Sequence, residues 1–229
     1  MSLKSDTQGF DISNKSAAVI GCGGLGGNVC VHLAGAGIGK LVICDYDTVS
    51  ESNLNRQFMY KKADIGRLKT EAAAEFLSNY APDCEITAVN RRISDTSSLD
   101  FAAECAIIII AADNTEVRKT VYDFCLEHGI PLVNGGINGA SGTCCLCIPG
   151  VTPCLDCMGA LCASGSIKNV SSTAGVIGAL EASLAQRCLL GDRSLAGTLL
   201  VYDGEEITHL AVKPQADCIC NKSTGGKTV

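Results

Sequence analysis

The sequence predicts an α/β fold: a Rossmann-like, doubly wound, mainly parallel sheet with helices on both faces and a C-terminal antiparallel extension. Three observations predict it. From Ala17 to Asp45 (AAVIGCGGLGGNVCVHLAGAGIGKLVICD) the chain reads as buried strand, glycine turn, helix, and a second strand ending in an acid. Cys105 to Ala112 (CAIIIIAA) is a continuous β-branched run, the pattern of a central parallel strand covered on both faces. Strand and helix patterns alternate through the first 135 residues, which implies crossover connections and a parallel sheet.

The elements follow in order. Residues 1–16 are polar and form a short, loosely held lead-in; residues 17–213 form a single nucleotide-binding domain; residues 214–229 are a tail, frayed beyond its cysteines. After Asp45 a polar, turn-rich connection (YDTVSESNLNRQFMYKKADIG) is too long for a simple loop, and such connections at the carboxyl end of a strand carry function. Gly66 to Tyr80 reads as an amphipathic helix with Leu68, Ala72, Phe76 and Leu77 inward, ended by Pro82 and Asp83. Cys84 to Asn90 alternates as a strand. Asn114 to His128 is a helix stopped by Gly129, and Ile130 to Asn134 and Thr143 to Ile148 are strands. Residues 150–171 form a long irregular loop. Ser172 to Leu190 is a helix with Ser or Thr capping its start and Gly191 beyond its end. Thr198–Tyr202 and Glu206–Val212 are antiparallel strands around an Asp203–Gly204 turn. There is no internal repeat.

Composition bounds the function. A chain of 229 residues, 47% apolar and 18% charged, folds as an ordinary globular domain. A net charge of −6 argues against a general nucleic-acid or membrane-surface binder. The Ala106–Ala112 run is too short to span a bilayer, and the N-terminus has no apolar signal core, which places the protein in the cytoplasm. Of fifteen cysteines, Cys22, Cys30, Cys44, Cys105, Cys125 and Cys188 sit in apolar patterns and read as inert core. His32, His128 and His209 show no metal or catalytic spacing.

Gly21, Gly23 and Gly26 fit G-x-G-x-x-G, with Gly24 an extra glycine inside it. Such a turn lets backbone approach a phosphate, and the helix after it directs unpaired N–H groups at the anion. Asp45, nineteen residues after Gly26, stands where a ribose-binding carboxylate is expected. On these features alone a dinucleotide-dependent oxidoreductase remains open.

The ordered series GCGGLG (21–26), DYDTVSESNLNRQF (45–58), GRLK (66–69) and ADN (112–114) resembles the ThiF/MoeB family, bacterial relatives of the ubiquitin-activating enzymes. The resemblance runs from Ala17 to Cys220. It implies that ATP and a carboxylate, usually the C-terminal glycine of a ubiquitin-like sulfur carrier, become an acyl adenylate and pyrophosphate. Arg56 and Lys69 resemble the phosphate-contacting pair, Asp113 the magnesium-holding carboxylate and Asp45 the ribose ligand, with Asn53, Gln57 and Asn114 assisting around the nucleotide. The bland alternatives are that Arg56 and Lys69 are surface charges and that Asp113 is a helix N-cap. An adenylation needs no general base, because the carboxylate is already ionised at neutral pH; it needs cations and positioning.

Cys154-Leu155-Asp156-Cys157 is a C-x-x-C hook, and Cys218 and Cys220 lie near the chain's far end. The resemblance implies one structural four-cysteine zinc site joining loop to tail. Here the second pair is C-x-C, one residue short of the family pattern; a redox C-x-x-C is the rival reading. Two further departures matter. Ser171 stands where covalent relatives carry a cysteine, with Cys162 the nearest alternative, so adenylation without an obligatory cysteine intermediate is expected. Residues 1–16 contain no arginine to match the segment that reaches a partner's phosphates, and only Lys4 and Lys15 are basic there. The resemblance still implies a homodimer. Activation of a small-molecule carboxylate, or a non-catalytic carrier-binding module, are the alternative functions.

Overall fold

The sheet is built around its most apolar strands. In the computed structural model, which describes residues 10–161, 170–218 and 220, β1 (Ser16–Ile20) and β4 (Ile107–Ile110) are central and buried on both faces. Each isoleucine of β4 is 0% exposed, and burial of one such side chain contributes about 1.5–3 kcal/mol. The remaining strands are β2 (Lys40–Asp45), β3 (Glu85–Asn90), β5 (Leu132–Asn138), β6 (Ser141–Cys147), β7 (Thr198–Tyr202) and β8 (Ile207–Ala211). They form one eight-stranded sheet in the order β3-β2-β1-β4-β5-β6-β7-β8. Pairing is parallel from β3 through β5 and antiparallel from β5 to β8. The doubly wound sheet with an antiparallel extension is therefore the fold of this chain.

Alternation along each strand divides the core. Ala17, Val19, Ile107 and Ile109 face α1 (Gly24–Gly35), α2 (Lys69–Tyr80) and α4 (Ser171–Leu189). Ala18, Ile20, Ile108 and Ile110 face α3 (Thr115–His128), the 3-10 segment Thr96–Ala102 and the 154–160 loop. All six cysteines read as core are buried. Among the described residues no helix is long and apolar enough to cross a membrane.

The structure corrects several boundaries, each for a local reason. The lead-in is not wholly loose: Ile12 is 2% exposed within the core, and Ser16 already belongs to β1. The second helix starts at Lys69 instead of Gly66, because Gly66 turns the chain at a positive φ and the backbone of residues 66–68 is hydrogen-bonded or bridged to 48–49. No Ser or Thr caps α4; Val170 is its N-cap and makes no side-chain cap bond. Strand β5 runs past Asn134 through Gly135 and Gly136 to Asn138, and β6 begins earlier than the sequence suggests, at Ser141. Glycine weakens a strand pattern, but here side chains occupy the space of the missing Cβ atoms. A Cβ on Gly135 would lie 2.3 Å from Glu181 Cδ, and one on Gly136 would lie 3.3 Å from Arg118 Nη2. Residues 1–9, 162–169, 219 and 221–229, including Lys4 and Cys162, lie outside the described residues.

Two predictions follow from packing. A Cβ on Gly26 would stand 1.8 Å from the Gly21 carbonyl oxygen, whereas one on Gly23 would meet only Gln57 Nε2 at 3.6 Å. Gly26→Ala is expected to destabilise by about 1–3 kcal/mol or more, and Gly23→Ala to fold normally, as read by thermal denaturation. Glu181 is 0% exposed, and burial pushes its carboxyl well above the ordinary range despite the opposing pull of Arg118. The fold thus holds a proton that the unfolded chain releases, so this group lowers stability as pH rises above about 4.3. The midpoint advantage of Glu181→Gln over the parent is expected to widen between about pH 5 and pH 8. A pH-independent difference would contradict a protonated Glu181.

Candidate functional site

The strand order reverses direction at β1, whose neighbours are β2 on one side and β4 on the other. In open α/β sheets the crevice at the carboxyl ends of such strands is where ligands bind. Here it holds a cavity of about 720 Å³. Its wall is assembled from the glycine turn, the exit of β2, the 53–57 segment, Lys69 at the start of α2, and the exit of β4 into α3. Gly21, Gly23, Gly24, Asp45, Asn53, Arg56, Gln57, Lys69, Asp113 and Asn114 all line it. Gly26 does not. It lies under the turn, where its missing Cβ admits the Gly21 carbonyl.

The turn itself is held from two sides. The Cys22 N–H donates to Asp45 Oδ2 at 2.7 Å, and the buried Tyr60 hydroxyl donates to the Cys22 carbonyl at 2.7 Å. Asp45 Oδ1 accepts from the Asp47 N–H at 2.9 Å. Each carboxylate oxygen keeps a second lone pair for a ligand hydroxyl. Gly21 has φ +102°, and a Cβ there would meet the Ala111 carbonyl oxygen at 2.8 Å, so the turn packs directly on the β4 exit.

Arg56 donates from Nη1 to the Ser52 carbonyl at 3.0 Å and to Asn55 Oδ1 at 2.9 Å. Asn53 Oδ1 accepts from the Ser50 N–H at 3.1 Å, which stiffens the same segment. Gln57 is 5% exposed, and its buried Oε1 has no hydrogen-bond partner among the described residues. Lys69, 6% exposed, pairs with Asp47 at 2.8 Å. The reading of Lys69 as a solvated surface charge is thereby excluded. Asp113 is exposed on the cavity wall and is not the cap of α3. That cap is Asn114, whose Oδ1 accepts from the Glu116 and Val117 N–H groups at 2.8 and 3.3 Å.

Sequence reasoning misses other wall residues: Tyr46, Asp47, Arg91, Arg92 and Arg118. Arg91 and Arg92 follow β3 directly, as Asp45 ends β2, and that shared position at the carboxyl edge was the available signal. The Arg92 guanidinium lies 5.1 Å from the Tyr46 ring centroid. Arg118 has no comparable signal: it donates to the carbonyls of Ala112 (3.0 Å), Ala160 (2.8 Å) and Gly135 (3.2 Å), which lie in three separate segments. Five basic side chains face four acidic ones around the cavity, in a chain whose net charge is −6. The crevice is locally suited to a polyanion.

Cys154, Cys157, Cys218 and Cys220 converge at the far edge of the other layer, with all four Sγ atoms within 4.8 Å of one another. The Cys154–Cys218, Cys157–Cys220 and Cys218–Cys220 separations are 3.4, 3.6 and 3.3 Å. Four thiolates around a tetrahedral zinc stand about 3.8 Å apart, so the set fits one ion without a fifth ligand. The short C-x-C pair still reaches the cluster. Zinc would close a loop from Cys154 to Cys220. Metal analysis of the purified protein is expected to find one zinc per chain; Cys157→Ser should abolish it and lower the thermal midpoint. Full zinc content in that variant would exclude Cys157 as a ligand.

A model of the ThiF family matches residues 4–222. The chain is 32% identical over 226 residues to the SAMP-activating enzyme E1 of Haloferax volcanii, covering 94% of this chain and 83% of that protein. It is 31% identical over 216 residues to the sulfur carrier protein ThiS adenylyltransferase of Escherichia coli, covering 90% and 85% respectively. The structure of E. coli MccB with ATP superposes with a TM-score of 0.80 at 22% identity, over 91% of this chain and 66% of MccB, a likeness of fold. The chain therefore belongs to the ThiF family and is an adenylyltransferase of the ThiF/MoeB type.

Proposed function

We propose that this protein uses ATP to adenylate the C-terminal glycine carboxylate of a ubiquitin-like sulfur carrier protein, releasing pyrophosphate. The observation that carries the reading is the cavity at the switch point. There the glycine turn, Asp45, Arg56, Lys69 and Asp113, drawn from separate segments, share one wall. A dinucleotide-dependent oxidoreductase has no use for that last trio.

The chemistry follows from charge. An α-carboxylate, with an ordinary pKa of about 3.3–3.7, is ionised at neutral pH and attacks the α-phosphorus without a base. The difficulty is to bring two anions together while charge grows on the departing pyrophosphate. Asp45 would hold the ribose hydroxyls, and the first turn of α1 would meet the phosphates with its N–H groups. Arg56 and Lys69 would neutralise phosphate oxygens, and Gln57 and Asn53 would assist by donating from their side-chain amide N–H groups. Asp113 would hold magnesium, which when bound screens the phosphate charge; a single carboxylate beside ATP phosphates and waters suits that ion. Asn114 spends its side-chain oxygen on the helix cap, so only its amide N–H₂ is left to meet nucleotide.

Ser171, exposed at the first position of α4, is a poor nucleophile beside a thiolate, so the adenylate is proposed as the product and no covalent cysteine intermediate is required. A homodimer in the cytoplasm completes the proposal.

The test is magnesium-dependent ATP–pyrophosphate exchange against carriers ending in Gly-Gly and against small carboxylic acids. Exchange with one carrier alone supports the reading. Exchange with a small acid alone moves the substrate, and no exchange with any leaves a binding module. Asp113→Ala should lower exchange by about 10²-fold or more with an unchanged thermal midpoint. Near-normal exchange would remove Asp113 from the mechanism.

A further inference from the structure

Lys69 is an unusual cation for this surface. Its side chain is 8% exposed, and it is the first residue of α2. A buried ammonium needs a fixed partner, and Asp47 Oδ2 provides one at 2.8 Å. Asp47 is itself tied down by its backbone. Its N–H donates to Asp45 Oδ1 at 2.9 Å, and its carbonyl accepts from the Lys69 N–H at 3.0 Å. The pairing continues: Thr48 bridges to Leu68, the Val49 N–H donates to the Arg67 carbonyl at 2.9 Å, and the Gly66 N–H donates to the Val49 carbonyl at 2.9 Å. A short antiparallel clamp thus joins the exit of β2 to the entry of α2.

We infer that Asp47 is a positioning residue, which holds the Lys69 ammonium in place at the cavity wall before nucleotide arrives and ties it to Asp45. The inference rests on the proposed use of Lys69 as a phosphate ligand. An ammonium has three donors; one is spent on Asp47, and two remain for the cavity that both residues line. A lysine stem otherwise loses extensive rotamer freedom on fixing its head group, and Asp47 removes that loss from the binding step. The opposing effect is repulsion between the Asp47 carboxylate and the phosphates. Asp47's side chain is 50% exposed, so water and salt screen that repulsion, and the positioning effect dominates.

The test is a double-mutant cycle read by isothermal titration of Mg–ATP into the full chain, which requires no carrier. Lys69→Met is expected to weaken binding about tenfold or more, and Asp47→Asn about three- to tenfold. Asn keeps an acceptor for the ammonium and leaves the backbone clamp intact. In the Lys69→Met background, Asp47→Asn should change affinity by less than about twofold, because its effect passes through the missing cation. Asp47→Ser should behave alike, with thermal midpoints checking that each variant folds. Independent, multiplicative losses would overturn the inference, as would tighter binding by Asp47→Asn. A wild-type chain that does not bind Mg–ATP would instead overturn the nucleotide reading on which the inference rests.

Discussion

The crevice at the switch point depends on how the backbone at Cys22 is held. Its N–H is bound by the Asp45 carboxylate and its carbonyl by the Tyr60 hydroxyl, each at 2.7 Å. These two bonds fix the glycine turn between the exits of β2 and β4, where a Cβ at Gly21 or Gly26 would collide with backbone. A turn so constrained can present N–H groups to an anion only if its neighbours supply the remaining charges at the same edge. The parallel sheet ensures that, because every parallel strand delivers its carboxyl end to one side of the molecule. Asp45, Arg91 and Asp113 reach the cavity for this common reason.

The second layer of support lies further from the chemistry. Arg118 links the β4 exit, β5 and the cysteine loop through three carbonyl acceptors. Burial pulls the Arg118 guanidinium below its usual range, with Glu181 and Asp113 opposing that pull. Glu181 approaches β5 at Gly135, while Arg118 approaches at Gly136, and successive strand residues face opposite sides of the sheet. A Gly-Gly pair thus lets a buried acid and a half-buried base pack against the same strand from opposite layers. The cysteine cluster secures the other end of the loop that Arg118 holds at Ala160.

The fold was legible wherever local pattern and tertiary demand agree. The β4 isoleucine run, the glycine turn and the Asp-Gly hairpin all state their structure in a few adjacent residues. Boundaries failed where a neighbour distant in sequence decides the backbone. Gly135 and Gly136 look like strand breakers until Glu181 and Arg118 are known to fill their space. Residues 66–68 look helical until 48–49 pair with them. The site shows the same division. Asp45, Arg56, Lys69 and Asp113 stand in a recognisable ordered series. Asp47, Tyr60 and Arg118 act through contacts that reach 22, 38 and 42 residues along the chain, for which no spacing rule exists. The split between Asp113 and Asn114 was hidden for another reason: both are acceptable caps, and only the geometry of α3 assigns that task to Asn114 and leaves Asp113 to the cavity.

The most direct measurement is a crystal structure with magnesium and a non-hydrolysable ATP analogue. The account predicts ribose hydroxyls on Asp45, phosphates between the glycine turn and the Arg56 and Lys69 side chains, and the metal ion on Asp113. A nucleotide bound with its phosphates away from Arg56 and Lys69, or a metal ion that ignores Asp113, would contradict it.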